Sequence, residues 1–287
     1  MFRLLRFALF LGVFAFALPV DAQTFNEAVG TGALSNVTTG DYNVAIGDSA
    51  LTNLTSDQGV VALGFKAGCS VDNLSSGCSE YVSGSSYYGP GNVFIGIFAG
   101  LRTTTGQDNV FIGELAGSNV TSSYDNTFVG TKAGLRNTSG DDNTFIGEEA
   151  GVSTTTGDDN TFVGQDAGAS VSTGSDNTFV GSAAGSASQF SGNSTYTGFR
   201  NTGIGNEALY DIRDGYRNTA LGDSAGIDIG DGSWNTMIGQ AAGSTTEHAD
   251  YNTMVGWLAG YDNNRTNNTD DANRNTYLGA RTGYSNR

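Results

Sequence analysis

The amino-acid sequence is built from a block that recurs at intervals of 17 residues. The segment Asn143–Gly151 returns as Asn160–Gly168 and again as Asn177–Gly185. With Asn counted as position 1, fourteen copies begin at residues 26, 43, 60, 92, 109, 126, 143, 160, 177, 201, 218, 235, 252 and 275. Position 5 is Gly in every copy, and position 4 is always Val, Ile or Leu. Such a chain is restricted to stacked units that bury one another.

The short period indicates β-structure. A helical pair needs more than 17 residues, and a Gly in every copy opposes a helix. The β-branched and aromatic residues at positions 2–4 favour a short strand, while Gly at position 5 permits a positive φ. The tail of each copy is rich in the turn formers Thr, Ser, Gly and Asp. We therefore predict an all-β fold, a single-chain parallel β-solenoid (β-roll) of about fourteen 17-residue coils.

The chain divides into two parts. Residues 1–22 have the pattern of a secretion signal peptide, with Arg3 and Arg6 before the apolar run Phe7–Leu18. Residues 23–287 then form the repeat domain, with no transmembrane segment predicted after cleavage of the signal. Three longer intervals between copies predict insertion loops at about 69–91, 186–200 and 261–274. The expected location is extracellular or on a bacterial cell surface.

Charge and residue usage narrow the function classes. There are 29 acidic against 13 basic residues, for a formal net charge of −16. A chain this acidic repels nucleic-acid phosphates, so nucleic acid is not an expected partner. The single His limits acid–base and nucleophilic chemistry. We predict no catalytic residue, no cofactor and no enzymatic activity.

Alternation along the strand predicts which side chains face inward. Because position 4 is uniformly aliphatic, we expect it to line the interior. The predicted core residues are Ile46, Ile95, Ile112, Val129, Ile146, Val163, Val180, Ile204, Leu221, Ile238 and Val255. Position 3 varies from Ala to Phe, which argues against a tight interior, so we expect it to face outward as an oligomer interface. The predicted interface residues are Phe94, Phe111, Phe128, Phe145, Phe162, Phe179, Met237, Met254 and Tyr277.

Position 9 varies together with position 3. It is Leu only at Leu34, Leu51 and Leu209, in copies whose position 3 is Ala or Gly. All nine copies with a large residue at position 3 have Gly at position 9. The two positions are therefore predicted to share one space, which one bulky group per coil fills. An apolar stripe of this length on a lone rod indicates self-association, and three rods around an axis is the favoured arrangement.

The blocks Asn43–Gly47 and Asn218–Gly222 give a resemblance to a known family. They resemble the Asn-x-x-Ile-Gly head repeats of trimeric autotransporter adhesins, and similar Asn-Thr-Phe-Ile-Gly-x-x-Ala-Gly arrays occur in bacterial surface and phage-fibre proteins. The likeness covers Asn26 to Arg287. It implies a left-handed roll, a homotrimer, and binding to host, matrix or glycan surfaces. The usual family repeat is shorter than 17 residues, and this sequence contains neither a heptad stalk nor a C-terminal membrane barrel.

Two further groups of residues are candidate sites. Cys69 and Cys78 are the two cysteines, and a secreted chain favours a disulfide between them. Asp108, Asp125, Asp142, Asp159 and Asp176 end successive copies. Calcium could bridge such stacked carboxylates, although Asp also serves turns without a metal.

The sequence leaves several functions open. The first is a secreted or cell-surface adhesin, a rigid rod whose repeated weak contacts build avidity. The second is a self-assembling extracellular filament, favoured by the unpaired strand edges of the end coils. Ice binding by the Thr-rich tails, such as Thr103–Thr105 and Thr154–Thr156, and a polysaccharide-active β-helix enzyme are further alternatives.

Overall fold

The computed structural model describes residues 25–37, 40–54, 59–69, 91–186, 197–246, 248–263 and 272–286. The strands in these ranges are two or three residues long. They are β1 Glu27–Val29, β2 Val44–Ile46, β3 Val61–Leu63, β4 Val93–Ile95, β5 Val110–Ile112, β6 Thr127–Val129, β7 Thr144–Ile146, β8 Thr161–Val163, β9 Thr178–Val180, β10 Thr202–Ile204, β11 Asp211–Ile212, β12 Thr219–Leu221, β13 Asp228–Gly230, β14 Thr236–Ile238, β15 Thr253–Val255, β16 Asp262–Asn263, β17 Thr276–Leu278 and β18 Ser285–Asn286.

One parallel sheet runs the length of the molecule. Its 14 strands follow chain order, β1 to β10 and then β12, β14, β15 and β17. Each repeat position pairs with the same position of the next coil, as Phe128 does with Phe145, and the insertion between β9 and β10 leaves this register intact. The predicted all-β parallel solenoid is confirmed. The sheet has one strand for each of the fourteen copies, and the regular stack comprises about 11 turns at roughly 17-residue spacing.

Towards the C-terminal end a second strand appears in some coils. Strand β11 pairs with β13, and β16 pairs with β18, in both cases in parallel. Isolated bridges from Asp228 to Thr245 and from Thr245 to Asp262 continue this alignment. The return segment of each coil therefore also stacks on its neighbour.

Gly at position 5 is required by the close approach of the coils. Gly147 has φ +142°, and a Cβ built there would lie 2.2 Å from the carbonyl oxygen of Gly164 in the next coil. Its equivalents in the stack have φ between +117° and +142°. A side chain at this position would collide with backbone as well as force a conformation that L-residues avoid.

The interior of the solenoid is filled by position 3, which corrects the predicted interface. Six phenylalanines form a continuous stack, with ring centroids 4.8 Å apart from Phe128 to Phe145 and from Phe145 to Phe162. These rings are 0–1% exposed, as are Met237 and Met254, whereas Tyr277 packs against the core while partly buried. The prediction that Phe94, Phe111, Phe128, Phe145, Phe162, Phe179, Met237, Met254 and Tyr277 form an oligomer interface is wrong, because their own chain encloses them.

The predicted exchange between positions 3 and 9 is confirmed, with the shared space inside the coil. A Cβ at Gly151 would lie 2.5 Å from the ring of Phe145. Where position 3 is Ala45, Leu51 occupies the space and is completely buried. A narrow core can therefore accept either Phe with Gly or Ala with Leu, since the total volume is conserved.

The Asn of position 1 forms an internal ladder that the sequence analysis left unexplained. The Asn143 side chain is buried and its Nδ2 donates to Oδ1 of Asn126 at 3.1 Å and to the carbonyl oxygen of Gly157 at 2.9 Å. Its Oδ1 accepts bonds from the backbone N–H and the Nδ2 of Asn160. Each amide thus joins its own coil to both neighbours, which satisfies polar groups that would be costly to bury unpaired.

Candidate interaction surface on the outer face of the sheet

The outward-facing side of the sheet carries an aliphatic column at position 4. Ile46, Ile146 and Leu221 are 42%, 40% and 45% exposed, although neighbours stack directly above and below them. The predicted core assignment is therefore wrong for this column, because every member faces outward and is exposed or half-buried: Ile46, Ile95, Ile112, Val129, Ile146, Val163, Val180, Ile204, Leu221, Ile238 and Val255. The alternation along the strand was correct, and the side assigned to it was reversed.

Position 2 lies beside this column and completes what we call the outer face, the position 2 and position 4 side chains of the 14-stranded sheet. Position 2 is Val from β2 to β5 and Thr from β6 onwards in this sheet. Strand spacing and rise give a face roughly 60 Å long and about 10 Å wide, on the order of 600 Å². This is at or above the largest apolar patch of an ordinary monomer and marks a contact surface.

The carboxylates predicted as weak calcium ligands have a conformational role. Asp108, Asp125, Asp142, Asp159 and Asp176 all have φ between +55° and +61°. Asp is one of the few residues that tolerate this left-handed conformation, so the turn alone accounts for the residue type. Within the described ranges, no group of three or more His, Cys, Asp or Glu residues is arranged to hold a metal ion. The carboxylates are exposed.

Two other carboxylates have raised pKa values. Burial raises the pKa of Asp141 above its ordinary value, and the nearby carboxylates of Asp158, Asp142 and Asp125 raise it further, against the hydrogen bond from the Tyr124 backbone N–H. On a different side, burial raises the pKa of the Asp166 carboxyl, with a contribution from the Glu149 and Glu148 charges. The acidic surface therefore carries unrelieved repulsion at neutral pH.

One ion pair relieves part of that repulsion. The Lys132 Nζ atom donates to Glu149 Oε1 at 2.7 Å in the next coil, and this hydrogen bond raises the pKa of the ammonium group. Both side chains are substantially exposed, so the pair contributes little to stability.

The C-terminal coils expose an aromatic strip at their turns. The ring centroids of Phe199 and Tyr216 lie 5.1 Å apart, and those of Trp234 and Tyr251 lie 6.0 Å apart. The guanidinium of Arg217 lies over the Trp234 ring at 4.3 Å from its centroid. The sequence analysis did not identify this group, whose members are separated by whole repeats.

The remaining predicted sites divide between the described residues and those outside them. Cys69 is buried, whereas Cys78 lies outside the described residues, so the Cys69–Cys78 disulfide stays a prediction. The signal peptide and most of the three insertion loops also lie outside the described residues. The tail threonines do not form an open hydroxyl array: Thr154 is buried, and the Thr121 hydroxyl donates to the Thr138 carbonyl oxygen at 2.9 Å.

Comparisons with known proteins returned nothing. No family model, curated protein or solved structure matches this chain. Among the helices of the described part of the chain there is also none with the length and apolar character to cross a membrane. The functional argument therefore rests on the surface of the solenoid.

Proposed function

We propose that the protein is a secreted or cell-surface rod that associates with copies of itself through the outer face and presents its remaining surface repeatedly for attachment. The observation that supports this most is the unbroken aliphatic column at position 4, which runs in register along all 14 strands of the sheet. Side chains of this kind gain free energy when a partner removes them from water, at about 25 cal/mol per Å².

The size of the outer face suits an association of parallel rods. A stable interface buries about 800 Å² per partner, somewhat more than the two columns offer, and the exposed side chains of Phe65, Ile97 and Trp257 at position 6 extend the apolar area. A homotrimer with outer faces turned towards a common axis would cover all three columns. This arrangement agrees with the family resemblance, with the contact moved from the phenylalanines to the aliphatic column.

Attachment follows from repetition. Once the outer face is covered, each rod still displays turns and loops at intervals of about 4.8 Å. Weak contacts with a host, matrix or glycan surface then add through avidity. The activity proposed is binding and involves no catalysis or cofactor.

The oligomer is tested by light scattering of the purified protein and of Val129→Glu, which places a charge on the outer face. Thr131→Glu is the matched control, because it lies two residues away in the same coil at a position that is already Glu in two other coils, Glu114 and Glu148. We expect an oligomer for the wild type and the control and a folded monomer for Val129→Glu. A monomeric wild type would refute association, and loss of surface binding in the monomer would connect association to attachment.

A filament is the second candidate, supported by the two end strands of the sheet. Within the described residues, β1 and β17 each pair with one neighbour, and Val29 and Leu278 are 60% and 75% exposed. Unpaired parallel edges can add another chain. Electron microscopy of the purified protein distinguishes the two, since end-to-end addition gives long fibres and association through the outer face gives short rods.

A further inference from the structure

The residue before each position 1 forms a column along one turn of the solenoid. Over ten consecutive coils we call it the edge column: Asp108, Asp125, Asp142, Asp159, Asp176, Arg200, Arg217, Trp234, Tyr251 and Arg274. All ten residues are exposed. Their φ angles lie between +55° and +62°, so their side chains leave equivalent points of equivalent turns.

The spacing along the edge column is even. The backbone N–H of Asp159 donates to the carbonyl oxygen of Asp141 at 3.1 Å, in the preceding coil. The same bond recurs in each coil and continues across the insertion, from Arg200 to Ser175 at 3.1 Å. Successive members are therefore one coil apart, about 4.8 Å, without a break at the loop.

The edge column has two chemically opposite halves. Its first five members are carboxylates, and its last five are Arg, Arg, Trp, Tyr and Arg, each with a cationic or hydrogen-bond-donating group. Among ion pairs of the described residues, one lies within the column, between Arg200 Nε and Asp176 Oδ2 at 3.4 Å, where the halves meet. The other four carboxylates form no ion pair with a described residue.

We propose that the edge column is a self-complementary contact that pairs two copies of this chain side by side in antiparallel orientation. A two-fold axis between Asp176 and Arg200 places each carboxylate opposite a donor of the other copy. The five pairs, each occurring twice, are Asp176 with Arg200, Asp159 with Arg217, Asp142 with Trp234, Asp125 with Tyr251 and Asp108 with Arg274.

The charges select this register over its neighbours. A parallel alignment would place Asp opposite Asp along half of the contact. An antiparallel shift by one coil puts either two copies of Asp176 or two copies of Arg200 together on the axis. Like charges in contact oppose a wrong partner or register, so the central alignment is the favoured one.

The column beside the edge column is compatible with the same axis. It contains carboxylates at Asp141, Asp158 and Asp250. In the antiparallel alignment Asp158 lies nearest Tyr216 of the other copy, and Asp250 lies nearest Tyr124. No carboxylate of this second column is brought opposite another carboxylate.

The geometry also indicates a weak, salt-sensitive contact. The edge column is about 43 Å long, and one row of side chains buries less than a standard interface. Exposed ion pairs contribute little individually and are screened by salt. The pairing joins rods of opposite polarity, whereas association through the outer face joins rods of the same polarity, so the two contacts are independent.

A charge exchange tests the proposal by sedimentation velocity of the full chain at low and high salt. Arg217→Asp and Asp159→Arg each create a like-charge pair twice in the dimer, and each introduces a residue type already present in this column. We expect each single variant to weaken the salt-sensitive association about tenfold or more. The double variant Asp159→Arg/Arg217→Asp should restore it, because the pair is re-formed with the signs exchanged.

Matched controls carry the same changes of charge elsewhere. Glu207→Arg and Lys66→Asp alter position 7, where Lys132, Arg281 and Asp166 show that both signs are accommodated. They should associate like the wild type. Repeating the series in Val129→Glu separates this contact from the proposed function, since a failed outer-face association removes only the salt-insensitive species.

The orientation is tested by zero-length carbodiimide cross-linking of Arg217→Lys. Position 217 and Asp159 are three coils apart in one chain, about 14 Å, so a bond between them must join two copies. We expect this intermolecular product at low salt and its loss at high salt. Absence of the product, or single variants that associate like the wild type, would overturn the proposal. So would an effect confined to retention on dextran sulfate, which would make the basic half a polyanion site.

Discussion

The exchange between Phe at position 3 and Leu at position 9 gives a quantitative test of the core. Phe145 is fully buried between two rings at 4.8 Å, so Phe145→Ala should cost about 3–5 kcal/mol. Gly151→Leu alone should cost about 2–4 kcal/mol, because its Cβ would lie 2.5 Å from that ring and a side chain at positive φ is strained. Independent effects would add to roughly 5–9 kcal/mol.

The double variant Phe145→Ala/Gly151→Leu should instead cost only about 1–3 kcal/mol. It recreates the combination of Ala45 with Leu51, which is buried at φ +48° in another coil. The coupling energy is therefore roughly 3 kcal/mol in favour of the pair.

Urea unfolding followed by circular dichroism measures these values. Hydrogen exchange of residues 144–151 gives the local value, since repeat arrays can depart from two-state behaviour. The mismatched double variant Phe162→Ala/Gly151→Leu serves as the control, because the clash with Phe145 remains. Additive costs in the matched pair would refute the shared interior space.

Three further perturbations address the ladders and the surface charge. Asn143→Leu should cost about 2–4 kcal/mol in urea unfolding, because it leaves the Asn160 amide groups without their acceptor; a neutral result would contradict the buried ladder. Gly147→Ala should cost more than about 3 kcal/mol in thermal unfolding, because its Cβ would lie 2.2 Å from the Gly164 carbonyl oxygen; a wild-type melting temperature would show that the coils are not so close. Burial raises the folded-state pKa of Asp141, so this group favours folding as pH falls through that pKa and opposes folding above it. Asp141→Asn should therefore be at least as stable as the wild type at pH 7 and show a flatter melting-temperature profile between pH 4 and 7, whereas a less stable variant at pH 7 would contradict the sign.

The period, the strands and the turns could be predicted from the sequence because each depends on local residue type. Gly at position 5, the β-branched residues at positions 2–4 and the Asp-rich tails fix where the chain extends and where it turns. Parallel register follows, because a repeat of constant length superimposes each position on its copy. Insertions that fall between copies leave this register unchanged, as the pairing of Thr178 with Thr202 demonstrates.

The side of the strand that faces inward could not be predicted from alternation alone. Positions 3 and 4 are both apolar, so either could fill the core. The constant size of position 4 suggested an interior, yet an outward ladder of stacked side chains also favours uniform residues. The variation at position 3, which suggested the exterior, is compensated within the coil by position 9, as Ala45 with Leu51 and Phe145 with Gly151 demonstrate.

The buried amide ladder had a sequence signal that could have been used. Asn occupies position 1 in thirteen of fourteen copies, more consistently than a turn requires. A polar residue so uniform beside buried positions indicates a hydrogen-bonded column such as Asn126, Asn143 and Asn160. The edge column, in contrast, gains meaning from the three-dimensional stack, since its two halves are separated by an insertion in the sequence.

The most direct test of the account compares Phe145→Asp with Ile146→Asp, two neighbouring residues of one strand. Thermal unfolding and sedimentation velocity are measured for both variants. We predict that Phe145→Asp loses several kcal/mol of stability, about 3 or more, because it buries an unpaired charge. Ile146→Asp should melt within a few degrees of the wild type and lose its self-association. A stable, monomeric Phe145→Asp together with an unfolded Ile146→Asp would contradict the assignment of the interior and of the outer face.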